Sequence, residues 1–79
     1  MTERDHLLSR SRSARAVLGL LRMSEKAGCG GLTTQTCAAV LRGRWAASTV
    51  AHAVVELRRT QAIVWNGGRF RRAKVWRVA

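Results

Sequence analysis

Residues 46–78, AASTVAHAVVELRRTQAIVWNGGRFRRAKVWRV, decide the fold of this chain. The first half of the stretch has apolar residues spaced three, four and three positions apart, which places them on one face of a helix: Ala47, Val50, Val54 and Leu57. We therefore predict a helix over residues 46–60 with this face buried. Its start is its weak point, because alanine at position 46 is a poor N-cap.

The second half of the stretch has the pattern of a β-hairpin. Residues 63–65 and 75–78 are rich in β-branched and aromatic residues, and Asn66-Gly67 is the strongest short-range hairpin signal in the chain. The turn is either tight at Asn66-Gly67 or a wider tip that reaches Arg72. We expect Trp65, Trp76 and Val78 to cover the open side of the helices.

Two further helices are predicted ahead of this stretch. The first spans residues 13–23 and ends before the glycines of residues 28–31. The second spans residues 35–41, with Thr33 or Thr34 as N-cap and Cys37 packed inward. Residues 1–12 form a basic arm or an extension of the first helix, which Thr2 and Asp5 could begin as a capping box. The expected fold is mainly α with a small β-hairpin, an α+β domain over residues 13–79.

The charge of the chain restricts its partners. Its 15 Lys+Arg and 4 Asp+Glu residues give a formal net charge of +11. The C-terminal half, residues 42–79, has a single acidic residue, Glu56, against nine cations: Arg42, Arg44, Arg58, Arg59, Arg69, Arg71, Arg72, Lys74 and Arg77. Such a field favours a polyanion, either nucleic acid or an acidic membrane surface. All but two of the 15 cations are arginine, which grips phosphate or guanine through two N–H groups.

Other classes of protein fit the sequence poorly. No apolar run is long enough to span a bilayer or to act as a secretory signal. Of the two polyanions we favour nucleic acid, so we expect no membrane partner. We expect no enzyme, because the carboxylates are scattered and no Cys-His or Ser-His-Asp set converges. Cys29 and Cys37 have neither the spacing nor the neighbouring histidines of a zinc site, so we expect reduced thiols, no metal and no cofactor.

The order of three helices and a hairpin resembles the winged helix-turn-helix domains of bacterial and phage regulators. The resemblance covers residues 14–79 and rests on residues 32–41 (LTTQTCAAVL), 48–50, 56–57, 63–64 and 75–78. Two features depart from the family. Gln61-Ala62 stands where such domains commonly have a glycine between helix 3 and the wing, and the turn before helix 3 contains Trp45.

The resemblance implies a duplex DNA interface. Helix 3 would lie in the major groove, and the neighbouring turn and the wing would contact phosphates or the minor groove. Ser48, Thr49 and His52 are then the candidates for base edges or backbone. Trp45 is either a core plug or a contact to the sugar-phosphate backbone. The remaining DNA-binding candidates are cationic: Arg44, Arg59, Arg69, Arg71, Arg72 and Lys74.

We therefore expect a cytoplasmic, nucleoid-associated protein that binds double-stranded DNA, a small transcriptional regulator of the kind encoded by phages or mobile elements. Two alternatives remain at this point. One is an architectural DNA binder or excision-type factor with little sequence preference. The other is a winged-helix module that docks on an acidic protein. A homodimer is also open, with Leu7 and Leu8 as the apolar residues available to hold it together.

Overall fold

Three helices precede one antiparallel hairpin in the computed structural model, which describes residues 12–79. The helices are α1 (Arg12–Lys26), α2 (Thr34–Val40) and α3 (Ala47–Arg59), and the strands are β1 (Ile63–Phe70) and β2 (Ala73–Val78). The expected α+β class is confirmed. The proposed arm, the Thr2–Asp5 capping box and the Leu7-Leu8 pair lie outside the described residues, except that Arg12 begins α1.

The core lies where α1, α3 and the hairpin meet. It contains the predicted stripe of α1, which is Ala14, Val17, Leu18 and Leu21, and from α3 it contains Val50, Ala53, Val54 and Leu57. The prediction that Ala47 is buried is wrong, because Ala47 is the first residue of α3 and is exposed. Ala53 takes its place on the buried face, one turn before Leu57.

The helix boundaries differ from the predicted ones by a few residues. α1 begins one residue earlier than predicted and ends three residues later, at Lys26. α2 is displaced by one residue, and Thr33 is its N-cap: the Thr33 hydroxyl accepts a hydrogen bond from the Thr36 backbone N–H at 3.1 Å. Cys37 faces the core as expected. Burial raises the pKa of its thiol to about 11, while the Cys29 thiol is exposed, and both cysteines are free.

A backbone bridge joins the hairpin to the segment between α1 and α2. Leu32 and Trp76 exchange two hydrogen bonds, of 3.0 Å from the Leu32 N–H and 2.8 Å from the Trp76 N–H. Leu32 therefore acts as a one-residue third strand beside β2. Within residues 12–79, no helix has the length and apolar character that crossing a membrane would require.

The end of α3 adopts a conformation that glycine favours, without a glycine. The N–H of Ala62 donates to the Leu57 carbonyl and the N–H of Gln61 to the Arg58 carbonyl, at 2.9 and 3.0 Å. This pair of bonds is the Schellman motif, which needs a left-handed residue at the position of Gln61. Gln61 has φ 61°, whereas Gly28 holds the equivalent position after α1 with φ 79°. Gln61, which stands where winged helix-turn-helix domains commonly have a glycine, therefore adopts the left-handed conformation with strain in its backbone.

We expect Gln61→Gly to raise the free energy of unfolding by about 1 kcal/mol, because glycine adopts a positive φ without the clash of a Cβ. Urea denaturation followed by circular dichroism measures the change. Gln61→Ala is the control, since it keeps the Cβ and should leave the strain in place. Equal stability of the glycine and alanine variants would contradict a strained left-handed residue at this position.

Candidate nucleic-acid interface

The tip of the hairpin consists of two arginines in a left-handed conformation. Phe70 pairs with Ala73, so Arg71 and Arg72 alone form the turn. Their φ angles are 52° and 71°, as in a type I′ turn, whose usual residues are Asn-Gly. Both arginines are exposed. The chain therefore presents two guanidinium groups at a position where local backbone energetics favour small residues.

Asn66 and Gly67, whose sequence predicts a hairpin turn, lie in a β-bulge. Trp65 pairs with Trp76 and Arg69 with Lys74, so residues 66–68 all lie opposite Val75. The Asn66 side chain stabilises this bulge with two hydrogen bonds. Its Oδ1 accepts from the Gly68 N–H at 2.7 Å, and its Nδ2 donates to the Gly30 carbonyl at 3.0 Å. The tight turn predicted at Asn66-Gly67 is thus wrong, because these contacts satisfy Asn66 within a strand that continues to Phe70. The alternative, a tip that reaches Arg72, is right about where the tip ends, but the turn has only two residues.

Trp76 anchors the hairpin on the helices. Only 7% of its surface is exposed, and its Nε1 donates to the hydroxyl of Thr34, the first residue of α2, at 3.2 Å. The guanidinium of Arg58, in the last turn of α3, lies 4.4 Å from the centre of the Trp76 ring. The prediction that Trp76 is buried is confirmed. The contact of Arg58 was not foreseen, because nothing in the sequence indicates which ring a helical arginine will meet.

Trp65 lies opposite Trp76 but outside the core. The prediction that Trp65 is buried is wrong: 43% of its surface is exposed. The core contains the indole of Trp76 but not that of Trp65. The Trp65 Nε1 donates to the Gly68 carbonyl at 2.7 Å, which ties the ring to the bulge.

Two cationic side chains lie close to the exposed indole of Trp65. Lys74 Nζ lies 4.9 Å and the Arg69 guanidinium 5.7 Å from the centre of the Trp65 ring. On the neighbouring turn, Arg71 lies 5.3 Å from the ring of Phe70, which is 54% exposed. Four of the predicted site residues, which are Arg69, Arg71, Arg72 and Lys74, therefore share one end of the hairpin together with two aromatic rings. We call this set the cationic tip.

The start of α3 has backbone donors that the helix does not use. The Val50 N–H makes the first α-helical bond, to the Ala46 carbonyl, so the N–H groups of the residues before Val50 have no partner within α3. Ala46 is the N-cap and provides no side-chain hydrogen bond, so the start of the helix is weak as expected. Exposed Arg44 lies just before this end, with its guanidinium 4.6 Å from the ring of Trp45. Trp45 is half-buried and packs against the core.

The other predicted residues of α3 are accessible to different degrees. Ser48, His52 and Arg59 are exposed, and Thr49 is half-buried. Across residues 12–79, no hydrogen bond or ring contact links these four side chains to the cationic tip. The structure therefore contains two groups of predicted site residues, one along α3 and its preceding turn and one at the end of the hairpin.

Comparisons with protein-family models, with curated proteins and with solved structures produced no match to this chain. Exposed guanidinium groups, an ammonium group and unpaired helix N–H groups all donate hydrogen bonds, and all bind anions. Such a surface suits a ligand with many regularly spaced negative charges better than a small substrate that needs an enclosed pocket.

The approach of the loop before α2 to the hairpin depends on Gly31, and we expect Gly31→Ala to destabilise the protein by several kcal/mol. An added Cβ would overlap the Trp76 carbonyl oxygen, and Gly31 has φ 136°. Gly43→Ala is the matched control, because its Cβ would meet no atom within 4 Å. Thermal denaturation should give a much lower Tm for the first variant only. Similar Tm values for both would contradict the close backbone approach.

Proposed function

We propose that this protein binds double-stranded DNA and acts as a small transcriptional regulator in the cytoplasm, associated with the nucleoid. In this proposal the cationic tip grips the phosphate backbone or enters the minor groove. The exposed side of α3 reads bases in the major groove. The observation that carries the proposal is the Arg71-Arg72 turn, with both residues at positive φ and both side chains in solvent.

The turn supports the proposal because its conformation costs folding free energy. A left-handed conformation costs a residue with a side chain roughly 1–2 kcal/mol, and glycine largely avoids this cost. Neither arginine is buried, and the structure gives them one side-chain contact, from Arg71 to the exposed ring of Phe70. A strained, exposed residue that contributes nothing to the core is typical of a functional position. Two adjacent guanidinium groups suit adjacent phosphates.

The neighbourhood of α3 supports duplex DNA over an acidic membrane surface. The helix N-terminus offers free N–H groups to a phosphate, with Arg44 beside it. From that end, the exposed residues Ser48 and His52 follow at the spacing of one helical turn. A helix whose N-terminal residues reach base edges beside phosphate-binding groups is the arrangement of helix-turn-helix proteins. The hairpin that follows α3 agrees with the wing that the resemblance implies.

The double variant Arg71→Asn/Arg72→Gly separates binding from folding. Asn-Gly is the preferred type I′ pair, so we expect a more stable fold. We also expect weaker binding to any DNA duplex and a salt dependence, log Kd against log salt, that is less steep by about 2 for two lost phosphate contacts. Fluorescence anisotropy with a labelled random-sequence duplex, measured at several salt concentrations, gives both values.

The control for this experiment is Gln61→Gly. It relieves the same kind of backbone strain at a position outside the cationic tip, so it should stabilise the fold and leave DNA affinity unchanged. If the double variant gained stability and bound DNA as tightly as the wild-type protein, the cationic tip would have no part in binding. Absence of binding to any duplex by the wild-type protein would reject the proposal as a whole.

Sequence preference tests the role of α3. Selection from a random duplex library defines a preferred site, against which Thr49→Ala and His52→Ala are compared with the wild-type protein. Each variant should lose about 1–3 kcal/mol of discrimination at a base pair it reads, with smaller changes in binding to unrelated DNA. Equal losses on all sequences would contradict base reading by α3. Failure of the selection to enrich any sequence would favour an architectural DNA binder.

A further inference from the structure

A second surface of the molecule is apolar and has no partner among the described residues. It is a groove of about 490 Å³ beside α1, at the edge of the core. Its floor and walls come from Ala16, Gly19, Leu20, Met23 and Leu41. None of the hairpin residues lines it. The groove is therefore separate from the cationic tip and does not depend on the proposed function.

Gly19 keeps the groove open at a cost to the helix. It lies in the middle of α1, where glycine is less favourable than alanine by about 1 kcal/mol. Its backbone conformation is helical, and an added Cβ would meet no atom within 4 Å. The fold of residues 12–79 thus gives no reason for a glycine here. The missing side chain lowers the floor and would allow a partner to approach the α1 backbone closely.

Met23 provides the apolar wall. It is 67% exposed, the most exposed of the large hydrophobic residues that the structure describes. Leu20, one turn before it, is half-buried and borders the same groove. Methionine has a flexible, polarizable side chain that adapts to the surface of an apolar partner. The position of Gly19 between Ala16 and Met23 gives the groove an apolar stripe that follows the helix.

The charged residues at the rim of the groove are all cationic. Arg22, Lys26 and Arg44 border it, and all three are exposed. A second copy of this chain, whose own groove has the same three cations, would bring like charges together. A partner with carboxylates at the edges of an apolar stripe would instead pair with them. The sign of the rim therefore favours an acidic partner over self-association.

We propose that this groove binds an amphipathic helix of another protein, with the apolar stripe of that helix in the groove and its flanking Asp or Glu residues against Arg22, Lys26 and Arg44. Helix-in-groove binding uses apolar anchors spaced three and four residues apart. The length of the apolar stripe on α1, from Ala16 to Met23, matches two turns of such a helix. Flanking charges would orient the helix and speed its association.

The test uses two labelled peptides of about 15 residues and the full-length protein. In the first peptide, leucines at helical spacing form one stripe and the other positions are glutamate with some alanine. The second has the same composition in scrambled order, so that its charge is equal and its stripe is lost. Fluorescence anisotropy at physiological salt should give binding of the first peptide at least about tenfold tighter than that of the second.

Variants of the protein locate the binding. Met23→Asp places a carboxylate in the groove at an exposed position and should weaken binding of the striped peptide about tenfold. Gly19→Leu should weaken it by filling the floor, without loss of stability. Val55→Asp is the matched control, since Val55 is also an exposed apolar residue, 48% accessible, but lies on α3 outside the groove. The double variant Arg22→Glu/Lys26→Glu should reduce the affinity for the acidic peptide. Arg44 is left unchanged in it, because Arg44 also belongs to the proposed DNA-binding surface.

Several results would overturn the proposal. Equal binding of both peptides would mean attraction by net charge alone, and unchanged binding by Met23→Asp would place the peptide elsewhere. Sedimentation that finds a wild-type dimer and a Met23→Asp monomer would assign the groove to a second copy of the chain. Tighter peptide binding by Leu7→Asp/Leu8→Asp would assign it to the chain's own first residues. DNA binding by the same proteins is measured separately, so the two proposals fail or stand independently.

Discussion

The pair of backbone hydrogen bonds between Leu32 and Trp76 is the contact on which the arrangement of the molecule depends. It joins residues 44 positions apart and ties the hairpin to the helical half of the chain. The Trp76 indole completes the connection by donating to Thr34 and lying under Arg58, at the ends of two different helices. Gly31 is what lets the two backbones come together, because a side chain there would collide with Trp76. The direction of the cationic tip follows from this junction.

Residues with a positive φ are strained only where they are not glycine. At Gly28 and Gly67 the residue suits the conformation, as expected for a helix end and a bulge. At Gln61, Arg71 and Arg72 it does not. Gln61 is explained by the Schellman motif, which the chain forms whether or not glycine is present. The two arginines have no such structural explanation, since the turn they occupy forms best with Asn-Gly. This difference is why the proposed function relies on the backbone conformation of the hairpin tip and not on that of Gln61.

Two surfaces with different chemistry emerge on this small domain. The cationic tip and the start of α3 offer hydrogen-bond donors to a polyanion, whereas the groove beside α1 offers an apolar stripe with a cationic rim. Arg44 borders the groove and also precedes α3, so it belongs to both surfaces. If both proposals hold, a protein in the groove would contact Arg44 and could thereby alter the proposed binding of DNA.

The sequence by itself determined the three helices, the hairpin and the concentration of cations at the C-terminal end. Apolar spacing in α1 and α3 and the β-branched runs of the strands are local patterns, and burial of one face follows from them directly. Tertiary structure decided which of two cross-strand tryptophans is buried. Trp76 lies on the strand that pairs with Leu32 and its indole reaches Thr34, whereas Trp65 lies on the outer strand. It also decided the turn. Asn66-Gly67 has the stronger local signal, but the contact of Asn66 with Gly30, 36 residues away, makes that site a bulge and moves the turn to Arg71-Arg72. A distant hydrogen-bond partner is not encoded in any local pattern, and this is why the sequence left two positions open for the turn.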